Sequence, residues 1–251
     1  MSRNIVITGG GDGLGRVMRE LFLANGDRVH VCDVTLDPQV NAKPASLRGT
    51  VCDVGDPAAV ARLFEEVAGW MPRVDVLINN VGIAGPRAPL EATSEEDWLQ
   101  IMQVNVLGAV RCMRYVLPAM KEARSGVVLN ISTSSVCTRP LNRSPYTVSK
   151  TAIEGLTTSL ARELGPHGIR CNAVRPGAMD NARMQRVLQR VARDTGKTVE
   201  EVLKSELEFV SMRTMVSMEE VARMALFLCS DAAAHVTGQV VAVDGGSEWE
   251  S

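Results

Sequence analysis

Two hydrophobic rhythms alternate along the chain. Short apolar runs at residues 4–8, 28–33, 47–53, 74–79, 126–131, 168–174 and 238–243 predict strands, and 74–79 has the continuous character of a strand buried on both faces. Between the runs, apolar residues recur at helical spacing over 16–25 (Val17, Leu21, Phe22), from Pro57 to about Trp70, from Thr93 toward Lys121, over 146–164 and over 218–229. End signals agree with these spans. Gly26 reads as a C-cap, and Thr93-Ser94-Glu95-Glu96-Asp97 supplies an N-cap with first-turn acids that complement the helix dipole. Residues 35–46, with Pro38 and Pro44, read as a loop. The stretch 178–215 departs from the alternation and predicts two amphipathic helices, one with Met184, Val187, Leu188 and Val191 on its apolar face, the other with Val199, Val202 and Leu203. Strands alternating with helices over the whole length predict an α/β fold, a doubly wound parallel sheet with helices on both faces. The 178–215 insert is too short for its own core, so 1–251 is expected to form a single domain with that insert as a helical substrate lid.

Composition narrows the setting. The chain has 251 residues, 45% hydrophobic and 22% charged, with a formal net charge of −2, a balance that argues against nucleic acid or a membrane surface as partner. No apolar run approaches the roughly 20 residues of a membrane span. The N-terminus enters a strand at once, without a signal-peptide layout. Six scattered cysteines (Cys32, Cys52, Cys112, Cys137, Cys171, Cys229) include no C-x-x-C pair. They read as reduced packing residues of a cytoplasmic protein rather than as disulfides or metal ligands. His30, His167 and His235 lie far apart, and no metal site is expected.

The first chemistry is a turn. Gly9-Gly10-Gly11-Asp12-Gly13-Leu14-Gly15 sits between the first strand and the first helix, and a second strand follows, which is the Rossmann-type setting for a nucleotide. Glycines there let backbone N–H groups approach a phosphate, and the helix N-terminus offers partial positive charge. Gly9, Gly11, Asp12, Gly13, Leu14 and Gly15 are therefore candidate cofactor contacts. Asp33 closes the second strand, where a carboxylate can accept both hydroxyls of an adenosine ribose and repel a 2′-phosphate. With Asp12 in the loop and no cation at Val34 or Thr35, NAD is expected over NADP.

The second chemistry is Tyr146-Thr147-Val148-Ser149-Lys150. Four residues apart on a helix, a phenol and an ammonium emerge on one face, and the cation favours the phenolate. Such a pair can give or take a proton. A hydroxyl cluster, Ser132-Thr133-Ser134-Ser135, lies just upstream.

These motifs together resemble the short-chain dehydrogenase/reductase family in its single-domain form of about 250 residues. Thr8 to Gly15 is similar to the family's T-G-x-x-x-G-x-G loop and Asp53-Val54 to its adenine-contacting pair. Asn79-Asn80-Val81-Gly82 resembles N-N-A-G, Asn105-Val106-Leu107-Gly108 the segment with the catalytic Asn, Tyr146 and Lys150 the Y-x-x-x-K pair, and Pro176-Gly177 the turn at the nicotinamide end. The resemblance implies that Asp53, Val54, Asn80, Gly82, Pro176 and Gly177 join the cofactor site. It implies that Tyr146 is general acid or base, that Lys150 binds the nicotinamide ribose and lowers the Tyr146 pKa, and that Asn105 holds a water in a relay from Lys150. The family's catalytic Ser lies thirteen residues before the Tyr, and Thr133 stands there, with Ser132 or Ser134 as alternatives if the loop register differs by one. The threonine usual after Pro-Gly is missing from Ala178-Met179-Asp180-Asn181. Enoyl reduction would call for a longer Tyr-to-Lys spacing in related branches.

Residues 81–89, 134–145 and 178–215 are expected to rim the substrate pocket. Arg87, Arg139 and Arg143 there suit an anionic or polyhydroxylated substrate such as a sugar acid or keto acid, or else face solvent or a neighbouring subunit. Arg183, Arg186, Arg190 and Arg193 read as a solvated helix face. The expected activity is oxidoreduction of a secondary alcohol. A 3-oxoacyl-thioester or steroid-type reductase and a non-catalytic nucleotide-binding scaffold are the competitors. Apolar residues on two faces of the long helices (Ala109, Val110 and Met113; Ala152, Ile153, Leu156 and Ala161), with an apolar 236–246 segment, predict a homotetramer, as the resemblance also implies.

Overall fold

The computed structural model describes residues 2–42 and 45–247; Pro44, assigned to a loop, and the side chain of Arg183 lie outside the described residues. Seven strands form one sheet: β1 (Asn4–Thr8), β2 (Arg28–Asp33), β3 (Leu47–Val51), β4 (Val76–Asn79), β5 (Gly126–Ile131), β6 (Ile169–Pro176) and β7 (Val240–Val243). Their order is β3-β2-β1-β4-β5-β6-β7, and every pairing is parallel. All seven strands expected from the apolar runs are present. β3 stops at Val51, so Asp53 and Val54 fall in the following turn, whereas β6 runs on to Pro176.

The period of two along each strand divides the core. Ile5 and Ile7 of β1 join Ile78 and Leu129 under α1 (Gly13–Ala24) and, far along the chain, α9 (Met218–Leu228). Val6 points the other way and joins Leu77 and Val128 under α2 (Pro57–Ala68) and the later helices α4 (Gly108–Ala123) and α6 (Ser144–Leu164). Both faces are covered, as a parallel sheet requires.

The helix expected from Thr93 to Lys121 is interrupted. Ser94, not Thr93, caps α3 (Glu95–Met102) in a capping box with Asp97. A π-helical turn, Gln103–Leu107, then separates it from α4 (Gly108–Ala123). One extra residue in the turn re-aims the side chains beyond it. A one-turn helix, α5 (Ser135–Thr138), lies within the expected rim, and Cys137 on it is exposed, so it is not the packing residue expected; the other five cysteines are buried. α6 (Ser144–Leu164) follows.

The insert forms α7 (Ala182–Thr195) and α8 (Val199–Leu207), capped by Asn181 and Thr198, and it buries a small cluster of its own, Leu188, Ala192 and Val202. Its ends are clamped to the sheet's C-terminal edge: Met212 N donates to Gly245 O at 3.0 Å, and Val216 N to Ala178 O at 3.0 Å. Several residues expected to seek a second partner already have one within the chain. Ala109, Met113, Ile153 and Ala161 belong to the core on the α2 side, because α4 and α6 turn those positions onto the sheet. Exposed apolar side chains on and beside these helices include Leu107, Tyr115, Leu141 and Val148. Among the described residues, no helix is long and apolar enough to cross a membrane.

Candidate active site

The strand order reverses between β1 and β4, and in such sheets a crevice opens at the carboxyl ends of the strands. The segments after β1, β4, β5 and β6 meet there, and they carry the residues singled out from the sequence.

The glycine turn is tight for identifiable reasons. Gly9 and Gly13 have φ of 66° and 55°. A Cβ on Gly15 would lie 1.8 Å from Gly9 O, so only glycine lets α1 start against β1. Asn80 braces the turn from β4, donating from Nδ2 to Thr8 O at 3.1 Å and Gly9 O at 3.0 Å. Leu14 is buried and anchors α1, while Asp12 stands at its N-cap without a side-chain cap bond. The α1 first turn contains no acid, so its amides keep their attraction for an anion. Asp33 faces this loop: its Oδ2 accepts from Gly11 N at 3.0 Å and its Oδ1 from Val34 N at 2.8 Å. Of the adenine pair, Asp53 is exposed and accepts from Gly55 N at 2.8 Å. Val54 is buried against Gly108, where a Cβ would come within 2.7 Å of it, so its side chain serves packing, and its carbonyl accepts from Arg111 Nη1 at 3.1 Å.

Lys150 is buried, and its Nζ donates to Ile131 O at 2.8 Å. A Cβ on Gly82 would sit 2.9 Å from that Nζ, which explains the glycine. Burial pulls the Lys150 pKa down to about 8, so the amine still carries its charge at neutral pH. Tyr146, one turn earlier, is half-buried with the Arg143 guanidinium 5.5 Å above its ring. The π-turn delivers Asn105 to the same place. Its Oδ1 accepts from Ile83 N at 2.8 Å, and its Nδ2 donates to Ile83 O at 3.0 Å and to Ser149 Oγ at 2.9 Å. The Asn105 carboxamide is thus committed to holding α6 and the β4 loop together. Beside it lies a cavity of about 10 Å³ lined by Thr8, Asn79, Asn105, Ile131 and Lys150, and Asn79 Oδ1 is buried without a partner. That volume and those polar walls suit one water molecule.

After β5, Ser132 turns inward and donates to Glu154, whose Oε1 and Oε2 also receive Arg175 Nε at 3.0 Å and Nη2 at 2.7 Å. Ser132 is thereby removed from the crevice. Thr133 and Ser134 face it, with Thr133 Oγ1 loosely held by Ser135 at 3.3 Å. The β6 turn is fixed by Gly177 N donating to Val243 O at 2.9 Å and by Ser134 N donating to Pro176 O at 2.8 Å. Beyond it, Asn181 caps α7 and Met179 bridges to Val216, so both are engaged within the chain. Glu154 and Arg175 did not stand out in the sequence; the signal was an acid one turn past Lys150 on an otherwise apolar face, between Ile153 and Leu156.

Above these groups lies a cavity of about 320 Å³. Thr133, Ser134, Arg87, Arg143 and Gly177 line one side, and α7 and α8 line the other. Arg139 is exposed, takes a left-handed φ of 45° as the α5 C-cap, and does not line it. Tyr146 borders the cavity through Arg143 rather than lining it.

Known proteins resemble this chain over nearly its whole length. The family model described as enoyl-(acyl carrier protein) reductase matches residues 9–248. The chain is 31% identical over 247 residues to 3-oxoacyl-[acyl-carrier-protein] reductase FabG of Thermotoga maritima, covering 96% of each chain. It is 31% identical over 246 residues to 2,3-dihydro-2,3-dihydroxybenzoate dehydrogenase of Escherichia coli K12, covering 98% of this chain and 96% of the relative. The solved structure of NAD+-bound xylitol dehydrogenase superposes with a TM-score of 0.88 at 26% identity, covering 97% of this chain and 98% of that one.

Proposed function

Because the chain belongs to the short-chain dehydrogenase/reductase family, we propose that it is an NAD-dependent oxidoreductase that interconverts a secondary alcohol and a ketone. The observation that carries this reading is Lys150, buried and charged at the crevice floor one helical turn from Tyr146. In oxidation the carbinol hydrogen leaves with its electron pair, the hydroxyl proton passes to Tyr146 Oη, and the carbonyl forms. NAD held at the glycine turn would supply the hydride-accepting and hydride-donating chemistry.

The residues present fit NAD. A Cβ on Gly10, Gly11 or Gly15 would come within 2.8 Å of a neighbouring atom, so the backbone of the turn is left bare for a phosphate to approach, and Asp33 supplies acceptors suited to ribose hydroxyls. Lys150 keeps one of its three donors on Ile131 O and has two for a ribose and the phenol region. Thr133 Oγ1 orients the substrate oxygen. A water in the 10 Å³ cavity would give Lys150 a proton route past Asn105 and Asn79. The substrate is drawn from sugars, sugar acids and hydroxy or keto acids, with a 3-oxoacyl thioester as the second reading, favoured by the apolar lid wall. The family model's enoyl description covers the fold, while the four-residue Tyr146–Lys150 spacing supports carbonyl chemistry.

We place the enzyme in the cytoplasm as a homotetramer, with the 178–215 lid covering each site of a single-domain subunit. Exposed Leu107, Tyr115 and Val148 support paired helices between subunits. A screen of alcohols, sugars, hydroxy acids and oxoacyl thioesters, read by absorbance of the reduced cofactor, tests the activity. Turnover of any alcohol excludes the non-catalytic scaffold.

A further inference from the structure

The two sides of the 320 Å³ cavity differ in chemistry. The wall built by the insert is apolar: Met184, Val187, Val191, Leu203, Leu207 and Met215 all face it, and Glu206 is the one charged lid residue among the described lining. The opposite side collects Thr133, Ser134, Ser135 and Thr138 with two guanidiniums, Arg87 and Arg143. Arg87 makes no ion pair among the described residues. Arg143 lies over the Tyr146 ring, 5.5 Å from its centre, so an anion it holds would lie near the phenol. Two cations against one carboxylate leave the lining net positive. The volume is about twice the ~150 Å³ cavity that holds benzene, which suits one ring or a short chain with a substituent.

Resting on the dehydrogenase reading above, we propose that the substrate is an apolar-bodied hydroxy acid, or the matching keto acid, whose carboxylate is bound by Arg87 and Arg143, and that polyols are poor substrates. A polyol carries a hydroxyl on every carbon, and those turned toward the lid would lose water and find only Glu206. An alicyclic or branched hydrocarbon body loses nothing there and buries apolar area. A carboxylate at the other end finds fork-shaped donors that can bind it bidentately.

The test compares three probes with the purified enzyme and NAD: a hydroxycyclohexanecarboxylate, its methyl ester and xylitol. We expect kcat/KM for the acid to exceed that for the ester at least about tenfold, a margin one charge-assisted contact can supply. Added salt should shrink the margin, because exposed charge pairs are screened. Arg87→Leu and Arg143→Leu should each cut the acid-to-ester ratio, with NADH fluorescence reporting that the variants are folded. An ester or xylitol used as well as the acid overturns this inference and leaves the dehydrogenase reading standing. A margin that survives both substitutions overturns the arginine assignment. If NADH binds and none of the three probes is turned over, this inference falls, and the wider screen alone decides whether the dehydrogenase reading falls with it.

Discussion

Glu154 and Arg175 form a two-point ion pair, Nε to Oε1 at 3.0 Å and Nη2 to Oε2 at 2.7 Å, and Ser132 adds a third bond to the same carboxylate. Each partner adjoins a different part of the crevice: Glu154 is one turn past Lys150, Ser132 precedes Thr133, and Arg175 precedes Pro176-Gly177. The pair is largely buried, with side chains 12% and 20% exposed. Removing the carboxylate strands a guanidinium and a hydroxyl, at a cost of about 2 kcal/mol. Glu154→Ala should therefore lower thermal stability and reduce kcat more than it weakens NAD binding, whereas Glu154→Asp should recover part of both. Unchanged melting and turnover in Glu154→Ala would remove the network from the account.

How much of this was legible in the chain depends on the distance over which each feature is decided. The strands and the two helices of the insert were readable because period is local: Met184, Val187, Leu188 and Val191 mark one apolar face as letters. The π-turn at Gln103–Leu107 was not, since one inserted residue leaves no mark in composition, yet it is what buries Asn105 against Ile83. Nor could the letters say that Ser132 faces Glu154 while Thr133 faces the crevice; that choice is made when β5, β6 and α6 close on one another. Arg139 and Arg143, near neighbours in sequence, part company because a left-handed residue ends α5 between the cavity and solvent.

Cofactor choice follows from the Asp33 carboxylate, held at the glycine turn by Gly11 N and Val34 N. Specificity constants should favour NAD over NADP by more than about tenfold, and Asp33→Ala should narrow the gap from both sides. Equal or better use of NADP by the wild type would refute this assignment.

Hydroxyl register gives a sharper comparison. Thr133→Ala should cut turnover by about a hundredfold, within the range of a lost oxygen-binding donor, while Thr133→Ser should stay close to wild type. Ser132→Ala should act mainly on stability through Glu154. A harmless Thr133→Ala together with a damaging Ser134→Ala would move the catalytic role by one residue.

Lys150 makes activity and stability respond oppositely to alkali. Its pKa is lowered by burial to about 8 from 10.5, so the charge it offers the cofactor ribose is lost above that point, and kcat/KM for oxidation should fall there. The sign for stability is reversed. Between about pH 8 and 10.5 the unfolded chain holds a proton that the native state lacks, so this group's contribution rises with pH, by at most about 3 kcal/mol. Denaturant titrations of the wild type and Lys150→Met, compared across that window, should show the difference. A flat difference would mean that Lys150 is not desolvated as the structure has it.

The central claim is that Tyr146 carries the proton in a nicotinamide-dependent reaction. Tyr146→Phe removes only the phenolic oxygen, so the measurement is turnover of the best alcohol found, alongside NADH binding to the same preparation. The account predicts turnover reduced at least about a thousandfold with NADH binding essentially intact, in keeping with the loss of a general acid–base group; a Phe variant that binds NADH and turns over near the wild-type rate would contradict it.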